Sequence, residues 1–358
     1  MRLRRDVGRS FLSFLATARE IDGGAHNHVF GPDFQWRPRP ADSFTGQALW
    51  SESRTLDRPD LAAEWDGRSL SDRALLLNWS HYTDRLDWFV QGQDLGPHFR
   101  ADDGFIPEVG YREAYLDAGH TIRPKKAFLS RIRVFTVDYY DLQPGGNILA
   151  RRFSVGTGMD GRLNSFLRVE LNRDEMRVGN ALLQRFRPRV YLESSPGRLL
   201  NFFSIDYYVG DEIDFDNGRE GRGTTLIGDV LLRPSNHLEL RGDASTRWLH
   251  VTAADGHSGR LFTAQIERLR ATWSFTARSF VRLIGQYVQT KRDVSLYTFA
   301  IAPKEADFNS SALLAYKLNW QTVIYLGYGD SRTFAELADR LENAGHQAFA
   351  KVSYAWQQ

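Results

Sequence analysis

The chain has 358 residues, with 46 Lys plus Arg against 44 Asp plus Glu and no cysteine. A net charge of +2 argues against a nucleic-acid binder, which concentrates positive charge on one face, and the missing thiols leave neither disulfides nor thiolate metal sites. No run approaches the roughly 18 apolar residues of a transmembrane helix, while a mean hydropathy of −0.43 and 13% aromatic residues suit a membrane barrel whose inward half is polar.

The first 18 residues allow two readings. A basic stretch (Arg2, Arg4, Arg5) before Phe11-Leu12-Ser13-Phe14-Leu15, followed by Ala16-Thr17-Ala18, has the outline of a signal peptide. Asp6 inside the basic region and Ser13 inside the short apolar one favour the other reading. In that one, residues 1–8 are the stub of an earlier strand with its turn, and residues 9–356 supply the strands of a single barrel domain covering 1–358.

Further along, segments of about ten residues with period-2 alternation are joined by short and long connections in strict alternation. Tight turns are predicted at 38–42, 83–85, 124–126, 160–162, 195–198, 234–237, 276–278 and 319–321. Long polar loops are predicted near Asp22 and at 56–69, 96–111, 141–149, 174–185, 214–221, 253–259, 294–307 and 330–346. Short turns on one side and long loops on the other are what a bacterial outer-membrane barrel requires, because lipid tolerates only a closed, fully paired sheet. A soluble sandwich rarely enforces this asymmetry, and no motif recurs near every 40 residues as in a propeller. The predicted fold is an all-β, transmembrane, antiparallel up-and-down barrel of about 18 strands.

The faces separate most clearly in the second half. Glu239, Arg241, Asp243, Ser245 and Arg247 alternate with Leu238, Leu240, Gly242, Ala244 and Trp248. Residues 163–171 repeat the pattern, with Leu163, Leu167, Val169 and Leu171 opposite Asn164, Arg168, Glu170 and Asn172. The 261–275 segment changes phase near Glu267, which predicts a bulge there. Lysine occurs only at 125, 126, 291, 304, 317 and 351; the other basic residues are all Arg. Arg suits pore linings and sugar or phosphate contacts through its fixed fork of donors, and a GC-rich genome would give the same bias. The lumen-lining candidates are Arg131, Arg133, Arg168, Glu170, Glu239, Arg241, Asp243 and Arg247. Mixed rings of Arg and carboxylate order water and polar solutes; the plainer alternative is a salt-bridge ladder that only stabilises the wall.

Other clusters carry weaker chemistry. His26 and His28 share a strand face but have no third ligand at a defined spacing. Asp211, Glu212, Asp214 and Asp216 lack the calcium-loop register. Asp102, Asp103 and Glu108, or Asp138 and Asp141, could serve sugar hydrolysis only at a defined separation. His81 near Ser80 and His120 near Asp117 have no nucleophile elbow around any Ser. Neither a catalytic set, a metal site nor a cofactor motif is predicted.

Leu3-Arg4-Arg5-Asp6-Val7-Gly8, Asn27-His28-Val29-Phe30-Gly31-Pro32-Asp33-Phe34, Gln286-Tyr287, Tyr325-Leu326-Gly327-Tyr328-Gly329 and Phe349-Ala350-Lys351-Val352-Ser353-Tyr354-Ala355-Trp356 together carry a family likeness. The chain resembles the C-terminal barrel of a bacterial domain-of-unknown-function family, number fifty-nine-sixteen of its series. Members usually carry an upstream module like the family 9 carbohydrate-binding domains. The resemblance implies an N-terminally truncated outer-membrane barrel associated with carbohydrate, and it transfers no catalytic residue. The terminal aromatic strand resembles the signal read by the barrel assembly machinery. Expected partners are therefore outer-membrane lipid and lipopolysaccharide, that machinery, and an oligosaccharide. Three functions remain open: a channel or uptake component for polar solutes, an outer-membrane hydrolase of surface glycan, lipid or peptide, and an adhesion or scaffold barrel.

Overall fold

The computed structural model describes residues 1–61, 65–125 and 128–356. Period-2 alternation becomes one 19-stranded antiparallel sheet, each strand paired with the next in chain order. The strands are β1 (Arg2–Val7), β2 (Ser10–Ile21), β3 (Ala25–Arg39), β4 (Asp42–Arg54), β5 (Ser69–Tyr82), β6 (Leu86–Leu95), β7 (Tyr111–Ile122), β8 (Arg131–Leu142), β9 (Ile148–Gly161) and β10 (Ser165–Val178). They continue with β11 (Ala181–Ser194), β12 (Leu200–Asp214), β13 (Arg219–Leu232), β14 (Leu238–Thr252), β15 (Ser258–Thr276), β16 (Ser279–Arg292), β17 (Lys304–Lys317), β18 (Thr322–Ala335) and β19 (Arg340–Tyr354). The only helical pieces among the described residues are single 3-10 turns. The β1 ladder runs to β2 and the β19 ladder to β18, and the sheet is not closed.

The count exceeds the predicted 18 because the stub is itself a strand, paired with β2 from Arg2 opposite Leu15 to Val7 opposite Ser10. Several predicted long loops are shorter than expected. The predicted 174–185 loop is mostly strand, since β10 runs on to Val178 and β11 starts at Ala181. Its polar residues are strand residues whose side chains alternate between faces, Asp174 and Arg185 being buried. The 214–221 and 330–346 loops contract in the same way. Conversely, the predicted 124–126 turn widens, because β7 stops at Ile122 and β8 starts at Arg131; Lys126 lies outside the described residues. Leu163 and Asn164 were expected in a strand but form a hairpin turn, at φ 60° and 49°.

Contacts divide the chain into two units. The first comprises residues 1–122, 133–156 and 172–182. On β3 the odd residues Ala25, Asn27, Val29, Gly31 and Asp33 are buried, while Phe30, Phe34 and Trp36 on the other face are exposed. Leu75 and Leu77 lie opposite Ala48 and Gly46 and continue that apolar face onto β5. It ends in an aromatic row at the turn side: Trp36 to Phe44 at 5.2 Å, Phe44 to Trp79 at 5.4 Å and Trp79 to Trp88 at 5.0 Å between ring centroids. Such a row is how a transmembrane strand set marks the membrane–water boundary.

The second unit comprises 123–132, 157–171 and 183–358. Its outward face carries the cross-strand pairs Leu238–Trp273, Gly242–Leu269 and Leu314–Leu326. Its inward face ends, at the loop side, in a small core of Leu249, Val251, Leu261 and Leu296. The bulge expected near Glu267 lies elsewhere. The β14–β15 register is unbroken from Leu238 to Leu249 and shifts between Leu249 and His250, opposite the stretch from Phe262 to Arg260. Glu267 therefore sits in phase on the outward face, opposite Ala244 and Tyr287.

Candidate functional site

In each unit a long loop folds back onto the inward face and is latched by one asparagine. In the first unit, Asn27, fully buried on β3, donates from Nδ2 to Ser53 Oγ (2.7 Å) and to Arg100 O (3.1 Å) and accepts the Asp102 N–H (2.9 Å). The Arg100 N–H reaches Ser51 Oγ at 3.1 Å, and Phe99 is buried beside it. Loop 96–110 is thus fixed across β3 and β4. In the second unit Asn217, in the β12–β13 hairpin, accepts from both the N–H (3.1 Å) and the hydroxyl (2.7 Å) of Thr298. The Arg219 guanidinium donates to the Leu296 carbonyl, and the Leu296 side chain fills the inward core. A buried amide without partners costs about 1–3 kcal/mol, so the Asn27 latch favours its loop in the docked position; Asn217, which is only half-buried, holds its loop by the two hydrogen bonds alone.

The inward wall beneath these loops is built from guanidinium–carboxylate pairs. In the first unit Arg133 bridges three strands, from Nε to both Asp87 oxygens (3.1 and 3.0 Å) and from Nη2 to Asp117 Oδ1 (2.6 Å). It lies flat over Gly119, where a Cβ would come within 2.3 Å of Arg133 Nε. Nearby, Arg152 Nε donates to Asp174 at 2.6 Å and the Ser154 hydroxyl to Asn172 at 2.7 Å.

In the second unit the register sets the same pattern. Arg168 Nε donates to Glu170 at 2.7 Å, and Arg189, 3.8 Å from Glu170, forms a two-point pair with Asp206 at 2.8 and 2.7 Å. Glu212, 5% exposed, gathers Arg185 (2.8 Å), Arg187 (3.5 Å) and Arg247 (3.6 Å). Arg241 joins Asp229 (2.8 Å) to Asp243 (3.2 Å). Forked guanidinium pairs of this kind are fixed in direction as well as strength.

All eight lumen-lining candidates take part in ion pairs. Arg168 meets Glu170 and Arg241 meets Asp243, while Arg133 binds Asp87 and Asp117, Arg131 binds Asp160, Glu239 binds Arg233, and Arg247 binds Glu212. The sequence reading missed their partners Asp87, Asp117, Asp160, Asp229, Glu212 and Arg233, which become visible only once the strand pairing brings each beside its candidate. It also missed Arg268 and Arg270, because a phase change assigned at Glu267 moved them off the inward face.

The weaker clusters separate. His26 and His28 stack at 5.0 Å, with His28 on Glu20 at 2.6 Å, whereas Asp33 pairs with Arg2. Asp211 and Glu212 fall on opposite faces, the former near Arg222 and the latter near Arg185. Asp102 is engaged by Arg100 and Asp138 by Thr136 and the Ser154 N–H. His81 Nδ1 lies 2.8 Å from Asp42, and its ring stacks 3.9 Å from that of Trp88; the Ser80 hydroxyl goes instead to the Ser43 carbonyl. Among the described residues no three His, Asp or Glu groups converge as a metal set.

No family model matches the chain, and no curated protein does. Solved structures of low similarity include the siderophore receptor PiuA from Acinetobacter baumannii, at 10% identity and TM-score 0.47, covering 100% of this chain and 73% of that one. They include OccAB3 of Acinetobacter baumannii, at 11% identity and TM-score 0.43, covering 96% and 97%. A BenF-like porin from Pseudomonas fluorescens Pf-5 matches at 10% identity and TM-score 0.42, covering 97% of each chain.

Proposed function

We propose that the chain forms the wall of a bacterial outer-membrane β-barrel and serves as an uptake channel for polar solutes. The carrying observation is the two-sided sheet: each unit has an apolar outward face and an inward face of Arg–carboxylate pairs onto which a latched loop folds. Lipid accepts the first face, and water with polar solute accepts the second. Closure would have to pair the edges of β1 and β19, directly or through further strands, because an open edge in lipid leaves backbone groups unpaired. Phospholipid and lipopolysaccharide are then the outward surroundings, the barrel assembly machinery would read the terminal aromatic strand, and oligosaccharides are the solute class suggested by the family resemblance.

The test is single-channel recording of the full chain refolded into a planar bilayer. Stable conductance steps, reduced as an oligosaccharide is titrated, are the expected result. A protein that is folded by circular dichroism and yet silent would overturn the channel reading.

A further inference from the structure

Most inward arginines have a carboxylate, including Arg292 at the end of β16, 3.0 Å from Glu305; three others on β15 and β16 do not. Arg268 and Arg270 lie on the inward face of β15, opposite Asp243 and Arg241, and Arg282 lies on the same face of β16. Arg270 is opposite Ile284, so Arg282, two residues along, is its diagonal neighbour. Among the described residues none of these three comes within ion-pair distance of a carboxylate; Asp229 and Asp243 are both taken by Arg241. The Nε atoms of Arg270 and Arg282 are buried with no hydrogen-bond partner. Like charges directly opposite across a ladder, as Arg241 and Arg270 are, destabilise a sheet, and a buried donor without a partner destabilises it further. A sequence that pairs Arg133, Arg168, Arg185 and Arg189 with care leaves this cluster two positive charges in excess.

Arg268 and Arg270 line a hollow of about 550 Å³ together with Asp229, Arg241, Asp243 and Gln286 among others, and Arg282 stands beside it as the diagonal neighbour of Arg270. That volume accommodates a small polar molecule. Forked guanidinium donors match the oxygens of carboxylate, sulfate and phosphate groups, and Ser245, also in the lining, supplies a further donor.

We propose that the Arg268, Arg270 and Arg282 cluster is an oxyanion-binding site on the solute path, so that the favoured solutes carry a carboxylate, sulfate or phosphate group. This rests on the channel reading for its role in transport, but the binding itself does not. Asp229 and Asp243 keep Arg241 in place, and the excess cations beside it take the anion.

Two measurements test it on the full chain, with wild type compared with the R268Q/R270Q/R282Q variant and a matching triple Lys variant. In planar bilayers of zwitterionic phosphatidylcholine, a KCl gradient is expected to give a reversal potential of anion preference. That preference should fall several-fold in the Gln variant and survive in the Lys variant. Separately, calorimetric titration of detergent-refolded protein with inorganic phosphate is expected to show binding that the Gln variant loses at least tenfold. Repeating the titration with phosphatidylglycerol micelles distinguishes a lipid headgroup from a free solute: binding of the micelles but not of inorganic phosphate would overturn the proposal. Cation preference, or equal phosphate binding by wild type and the Gln variant, would overturn it too. A silent bilayer with intact, arginine-dependent phosphate binding would remove the channel reading and leave the site standing. If the Gln variant fails to fold by circular dichroism, single R270Q and R282Q variants carry the same comparison.

Discussion

At the scale of single residues, the wall is specified by which side chain faces which. Arg133 holds two carboxylates from two neighbouring strands over the bare backbone of Gly119. Gly119→Ala is therefore expected to push the guanidinium aside and lower stability by roughly 1–3 kcal/mol, measured by urea unfolding in vesicles. Glu267 shows the opposite imbalance, a carboxylate exposed in the middle of β15 among Leu269, Leu283 and Tyr287 on the outward face. Glu267→Leu is expected to stabilise the folded protein in lipid by on the order of 1 kcal/mol, in the same unfolding assay. This residue also limited what could be read beforehand. A charge in an apolar row is indistinguishable in sequence from a slipped register, and the slipped register concealed Arg268 and Arg270. Glu239, Arg241, Asp243 and Arg247 were legible because β14 keeps every charge on one face as far as Leu249.

At the scale of elements, strand positions were legible wherever one face met lipid and alternation was sharp. They were not legible where strands run on past the apolar band, because there both faces are polar and a strand such as 172–178 has the composition of a loop. That the loops fold inward was unreadable as well, since it depends on Asn27 and Asn217 meeting segments far away in the chain. Loop 293–303 allows a direct test. Asn217→Ala removes both acceptor contacts to Thr298 and is expected to speed limited proteolysis near Leu296 severalfold, leaving the strands intact. Acid should act on the same loop. The Asp293 carboxyl accepts from the Ser295 hydroxyl and N–H, which holds its pKa below the ordinary aspartate value. A depressed carboxyl contributes stability above its unfolded pKa and loses it as pH falls through the folded value. Pepsin cleavage of this loop is therefore expected to accelerate as pH drops through and below the usual carboxylate range, and less so in Asp293→Asn, which has no charge to lose.

At the scale of the whole molecule, one division underlies the rest: the face that carries the paired arginines is wet and the other face meets lipid. Everything proposed about solutes, anions and latched loops depends on it. The chain contains no cysteine, so single cysteines can be placed without background at 240, 241, 242, 243 and 244 of β14. With the full chain in liposomes, labelling by a charged, membrane-impermeant thiol reagent measures which positions water reaches. Fast labelling at Arg241→Cys and Asp243→Cys, with slow labelling at Leu240→Cys, Gly242→Cys and Ala244→Cys, is the expected alternation. Uniform labelling along the strand, or alternation in the opposite phase, would contradict the account.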